Sequence, residues 1–145
     1  MPAAYFDSSV LLSVLLNESR AEVCSPIWNE QKMRVSSILL SAECWTGARR
    51  HFLRMGIGIQ AKWKEERIAF LEKALNLVEL KSVDSEIVDT LKKNPKLADC
   101  RTLDALHLAT AMFFRDQADS DLLFVTLDSR LRETALKFGF KVLPE

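Results

Sequence analysis

The run Leu122-Leu123-Phe124-Val125-Thr126 limits the folds open to this chain more than any other stretch. It shows no alternation of apolar and polar residues, so a strand built from it has both faces covered, the condition of a central strand in a parallel sheet. Asp128 follows within two residues, and residues 129–138 carry a helical pattern with Gly139 as the stop. Parallel neighbours cannot be joined by a tight hairpin; each needs a crossover, usually a helix. The chain must therefore alternate strand and helix.

Ala3-Ala4-Tyr5-Phe6 reads as a short buried strand ending at Asp7, and Ser8-Ser9 supply N-cap chemistry for a helix through Val10, Leu11, Val14 and Leu15. Residues 20–31 have amphipathic helical spacing with Val23, Ile27 and Trp28 inside, Pro26 marking a kink or a late start. Residues 34–40 form the next strand, and Ser41-Ala42-Glu43 reads as a cap followed by an acidic first turn. That helix passes Trp45, Ala48, Phe52 and Leu53 and stops at Gly56-Ile57-Gly58. Residues 60–77 place Trp63, Ile68, Leu71, Ala74 and Leu75 on one face of a long helix. Val78-Glu79-Leu80 is a short strand and residues 84–93 a short helix ended by Asn94-Pro95. Residues 102–115 form a helix apolar on nearly every side, residues 116–121 a polar turn, and Phe140-Lys141-Val142-Leu143 a last strand. The pattern predicts one α/β domain over residues 1–145, a three-layer α/β/α arrangement with a mostly parallel central sheet.

One domain is also what the length allows, since 145 residues bury roughly 68 to 70% of the surface of the unfolded chain. Twenty basic and twenty acidic residues cancel, so any nucleic-acid binding must rest on local patches. Cys24, Cys44 and Cys100 are odd in number and widely spaced, which fits neither a disulfide framework nor a zinc-ligand pair. Reduced, mostly buried thiols are expected. The N-terminus lacks the basic segment and apolar core of a signal peptide, and no apolar run reaches the ~18 residues of a membrane span. A cytoplasmic protein with no membrane partner is expected.

Sheets of this kind bind ligands outside the carboxyl ends of their strands. Asp7, Glu43 and Asp128 each follow a strand and head a helix, so all three are expected on that edge. Asp104 opens the helix that lacks a wet face, and a carboxylate carried into a buried site must be paired, neutralised or bound to a metal. Taken singly, each acid is explained by the helix dipole, which stabilises a first-turn carboxylate by roughly 0.3 to 1 kcal/mol. Taken as a set, the four repel one another unless a cation compensates. Oxygen ligands without histidine or thiolate suit Mg²⁺ or Mn²⁺, which commonly act on phosphates. Such ions could generate a hydroxide and stabilise the leaving oxygen in phosphodiester hydrolysis.

The motifs Tyr5-Phe6-Asp7-Ser8-Ser9, Glu43 after Ser41, Arg101-Thr102-Leu103-Asp104-Ala105-Leu106-His107-Leu108-Ala109-Thr110-Ala111, and Thr126-Leu127-Asp128-Ser129-Arg130-Leu131 resemble the successive signatures of the PIN-domain family. The match runs in order over almost the whole chain and is most similar to the VapC-type toxins of bacterial and archaeal toxin-antitoxin pairs. The resemblance implies a PIN-like fold and a metal-dependent ribonuclease that cleaves RNA, tRNA or rRNA among the possible targets. It also implies a cognate VapB-type antitoxin as inhibitor and a homodimer. By position Asp7, Glu43, Asp104 and Asp128 take the roles of the catalytic, metal-binding carboxylates. At the last of these the chain departs from many toxins, which have Asn and a later Asp after the final strand.

Other residues are candidates for support. The hydroxyls of Ser9 and Thr126 could hydrogen-bond to the site, although a hydroxyl near a strand end is more often plain turn chemistry. Arg50 and Arg54 share a helix face with Glu43, and Arg130 adjoins Asp128; these arginines are the candidates for RNA phosphates, against the plain reading of a solvated surface. His107 lies one turn after Asp104 and reads as a packed histidine making one or two hydrogen bonds. Trp28, Trp45 and Trp63 read as core, with the second to fourth helices as the place for a dimer or antitoxin contact. Two other functions compete: a non-catalytic PIN-like binding protein whose acids hold no metal, and a receiver-like signalling domain. The receiver chemistry needs an acidic neighbour beside Asp7 and a mid-chain phospho-accepting Asp, and the sequence has neither.

Overall fold

The computed structural model describes residues 3–58, 60–118 and 121–145, the side chain of Ile57 excepted. Met1 and Pro2, and the Asp119-Ser120 part of the expected polar turn, lie outside the described residues. Five strands, β1 (Ala3–Phe6), β2 (Met33–Ser37), β3 (Val78–Lys81), β4 (Leu122–Val125) and β5 (Lys141–Leu143), form one sheet in the order β3-β2-β1-β4-β5. Every pairing is parallel. Among the described residues seven α-helices make the crossovers: α1 (Ser8–Leu15), α2 (Ala21–Glu30), α3 (Leu39–Met55), α4 (Ala61–Leu75), α5 (Ser85–Lys93), α6 (Thr102–Gln117) and α7 (Ser129–Lys137). None is long and apolar enough to cross a membrane.

The central strands are covered on both faces, as the unbroken apolar run requires. Tyr5 and Phe124, which are register partners, face one core with Ile87, Leu108, Phe114 and Leu131 from α5, α6 and α7. Phe6 and Val125, the next pair, face the other with Leu11, Trp28, Leu40 and Leu71 from α1 to α4. Two helical layers thus enclose one sheet. The chain runs outward from β1 to β2 and β3, then returns across β1 to β4. The reversal places a crevice at the carboxyl ends of β1 and β4, the position where doubly wound sheets take ligands.

Three boundaries differ from the sequence reading. Residues 38–40 belong to the turn into α3 and not to β2. The Ser37 hydroxyl accepts from Leu39 N at 3.1 Å, and Ile38 already has helical angles of −55° and −22°. A serine oxygen at the strand end outweighs the strand preference of Ile38. Glu43 therefore stands in the second turn of α3, and Ser41 is no cap. At α1 the capping position is Asp7, which makes no side-chain cap bond, while Ser8 and Ser9 are already helical.

In α2 the buried stripe is Ala21, Cys24 and Trp28, leaving Val23 43% exposed. The three-and-four spacing from Ala21 to Trp28 uses the large indole fully, and Val23 falls off that stripe. The helix starts at Ala21 and runs through Pro26; Glu22 and Pro26 are both exposed, so the carbonyl the proline leaves without a helical N–H lies on the wet side. Cys24 and Cys44 are buried free thiols, and Cys100 is partly covered.

Candidate metal centre

Asp7 ends β1 in the crevice, 6% exposed. Its Oδ2 accepts from Ser9 Oγ at 2.7 Å and from Thr126 Oγ1 at 2.9 Å. Each hydroxyl is itself fixed by a backbone N–H of the segment after β4: Leu127 N donates to Ser9 Oγ and Asp128 N to Thr126 Oγ1, both at 3.0 Å. A hydroxyl that receives one proton gives its own in a set direction, here to the carboxylate. The two bonds fix the orientation of the carboxylate. Oδ1 has no hydrogen-bond partner among the described residues and is left to serve as a ligand.

Glu43 reaches the same place from α3. The close packing of α3 on α1 makes this possible: a Cβ on Gly47, one turn beyond Glu43, would stand 2.8 Å from Leu12 Cδ1. One ligand atom each from Asp7, Glu43 and His107 lies within 4.8 Å of the others. His107 comes from α6, only 1% exposed, with Nε2 2.6 Å from Glu43 Oε1 and Nδ1 2.6 Å from the Tyr5 hydroxyl. Burial works against a charged imidazole there. The Glu43 hydrogen bond and the fields of Asp7, Glu43 and Asp104 outweigh it, and the His107 pKa is raised.

Asp104 opens α6 on the rim, its side chain 20% exposed, with Arg101 Nε 3.7 Å from Oδ2. Burial raises its pKa, and the neighbouring charge of Asp128 adds to this. Arg101 pulls the other way, and Asp7 raises it further. The negative field expected of the set is therefore present. Among the described residues Asp104 and Asp128 are not part of the tight group around Asp7.

Asp128 has a structural task of its own: Oδ1 caps α7, accepting from Arg130 N at 2.9 Å and Leu131 N at 3.2 Å. Asn caps a helix as well as Asp does. Asp128→Asn is expected to leave stability unchanged, while Asp128→Ala loses about 1 kcal/mol. Urea unfolding of both variants measures this, and an Asn variant as unstable as the Ala variant would mean that the charge and not the cap matters to the fold.

Among the arginines, Arg130 is exposed at the head of α7, beside the crevice. Arg50 and Arg54 are exposed on α3 but lead away from it, roughly 10 and 16 Å along the axis from Glu43 at 1.5 Å per residue. Arg101, passed over in the sequence, is the cation nearest Asp104. The link from Tyr5 to His107 also escaped the sequence, since strand and helix lie 102 positions apart. Its only trace was parity: Tyr5 is two residues before Asp7 on a strand, and His107 one turn after Asp104 on a helix.

The donor set fits a hard divalent cation. It offers carboxylate oxygens, no thiolate, and an aspartate oxygen free of hydrogen bonds. His107, with both nitrogens engaged, is not available as a ligand without breaking one of these bonds.

Comparison with known proteins shows the kinship of the chain. The family model of the PIN domain matches residues 4–137. Ribonuclease VapC46 of Mycobacterium tuberculosis (strain ATCC 25618 / H37Rv) is 32% identical over 143 residues, covering 99% of this chain and 98% of that protein. A solved structure described as a toxin-antitoxin complex from Klebsiella pneumoniae shares the fold with a TM-score of 0.61 at 18% identity, over 88% of each chain. The matched span runs from β1 into α7 and takes in all four acids on the crevice edge, so this chain belongs to the PIN-domain family.

Proposed function

We propose that this protein is a Mg²⁺- or Mn²⁺-dependent endoribonuclease, the toxin of a type II toxin-antitoxin pair, acting in the cytoplasm and held inactive by a cognate VapB-type antitoxin. The observation that carries the reading is the Asp7 carboxylate, fixed through one oxygen by two oriented hydroxyls and facing Glu43 within 4.8 Å. The kinship with a ribonuclease along nearly the whole chain supports the same reading.

In this mechanism Asp7 and Glu43 would hold the cation, and Asp104 and Asp128 would add negative charge around it. A bound divalent ion supplies Lewis acidity, easing deprotonation of a water and offsetting charge on the leaving oxygen. Ser9 and Thr126 hold the Asp7 carboxylate in place, so little reorganisation is needed when charge develops. Arg130, and Arg101 on the rim, offer guanidinium groups to phosphates of a strand crossing the crevice. Arg50 and Arg54 would serve phosphates farther along that strand. A homodimer and an RNA target such as tRNA or rRNA belong to the same proposal.

The test is incubation of the purified protein with total RNA. Cleavage is expected with Mn²⁺ or Mg²⁺ and is expected to vanish in EDTA and return on adding metal. Cleavage that survives EDTA would refute the mechanism. For the toxin role, growth arrest on expression should be relieved by the upstream open reading frame; arrest caused equally by an Asp7→Asn variant would have another origin.

A further inference from the structure

Histidine in a group of acids invites reading as a base or as a metal ligand, and His107 fits neither use. Its ring is packed edge-on against Tyr5, with centroids 5.9 Å apart, and both its nitrogens are engaged at 2.6 Å. The Nε2 contact falls on Glu43, an acid whose side chain is 30% exposed on a helix from the opposite layer of the fold. A glutamate there has three rotatable bonds and only one described side-chain partner. That partner is His107, and the carboxylate it meets lies within 4.8 Å of Asp7.

The far end of the ring is fixed by the Tyr5 hydroxyl. Tyr5 is fully buried on β1, two residues before Asp7, and stacks on Phe124 of β4 with centroids 5.1 Å apart. The hydroxyl, which can both donate and accept, can serve Nδ1 in either form of the ring. It donates to a neutral imidazole and accepts from a charged one. In both forms Nε2–H is directed at Glu43.

We infer that His107 is a positioning residue which, anchored by Tyr5, orients the Glu43 carboxylate toward Asp7 and so completes the metal site without ligating the metal. The inference rests on the metal-site reading above. Partners that orient a metal ligand in this way typically contribute 10- to 100-fold to metal affinity.

Calorimetric titration of the purified full chain with Mn²⁺ tests it, alongside thermal melting without metal. His107→Ala is expected to weaken Mn²⁺ binding by about 10- to 100-fold. His107→Gln, whose amide nitrogen falls near the Nε2 position, should recover most of that loss. Tyr5→Phe should weaken binding in the same direction by less. A merely structural role would give the same loss whatever stands at position 43. The positioning role predicts that His107→Ala costs little further once Glu43→Gln is in place.

Equal losses in both backgrounds, or wild-type affinity in His107→Ala, would overturn the inference. So would an imidazole nitrogen coupling in the Mn²⁺ magnetic resonance spectrum that His107→Ala removes, because His107 would then be a ligand. If His107→Ala does not fold, Tyr5→Phe decides, and unchanged affinity in that variant overturns the proposal. Wild-type protein that binds no Mn²⁺ would sink the metal reading and this inference together; binding that ignores these variants would sink the inference alone.

Discussion

Asp7→Asn is expected to abolish RNA cleavage while leaving the fold intact. The substitution keeps an oxygen to accept from Ser9 and Thr126 but removes the charge that holds the cation. A metal ion supplies several kcal/mol of transition-state stabilisation. At about 1.36 kcal/mol per factor of ten, its loss lowers the rate by about a thousandfold or more. Stability should move the other way. Asp104 has a raised pKa because burial disfavours its charge, and the fields of Asp128 and Asp7 add to this. A carboxyl whose folded pKa lies above its unfolded value destabilises the fold once pH exceeds that value and ceases to do so as pH falls through it. Taking one charge out of the group relieves this repulsion, so Asp7→Asn in EDTA should melt at the wild-type temperature or higher. Such an exchange of stability for activity marks a functional site. An Asp7→Asn protein that cleaves RNA at even a tenth of the wild-type rate would refute the placement of Asp7 at the metal, and one that melts far lower would make Asp7 structural.

The second large effect is on the fold. Phe124 is fully buried at the centre of the sheet, stacked on Tyr5 and tilted against Phe140 with centroids 5.6 Å apart. Phe124→Ala should cost about 3 to 5 kcal/mol, the range for removing a buried aromatic ring. Domains are stable by only about 5 to 15 kcal/mol. The melting temperature should fall by roughly 6 to 20 °C at 2 to 4 °C per kcal/mol. Urea unfolding with an unchanged slope would confirm a loss of stability rather than a change in the unfolded state. A loss below about 1 kcal/mol would mean that the neighbouring rings collapse into the space.

Phe124 also shows why the fold was legible in the sequence. An unbroken apolar strand flanked by helices has few solutions, and the parallel five-strand sheet is one of them. The acids at the ends of β1 and β4 follow from the same rule, since the strand ends place Asp7 and the segment from Thr126 to Asp128 side by side. Glu43 was harder to place. A serine at the end of β2 starts α3 early, which moves Glu43 into the second turn of the helix, and it meets the crevice where α3 packs closely on α1 at Gly47. Such a contact depends on where two helices cross, and no local pattern in the sequence encodes it. At Asp128 the sequence alone does not reveal the cap, because a capping acid and a ligand acid have the same residue type and the same position after a strand. The Tyr5–His107–Glu43 chain joins three elements in two layers, beyond the reach of periodicity.

The two outer strands of the sheet are short. β5 has three residues and begins with the exposed Lys141; β3 has four, with Glu79 exposed and Lys81 paired to Asp84 and Glu86. A foreign strand offered to either side would find only a few free backbone groups, with charged side chains beside them. Both edges are thus poor templates for a further strand, which leaves the two helical layers as the broader surface for a copy or a partner.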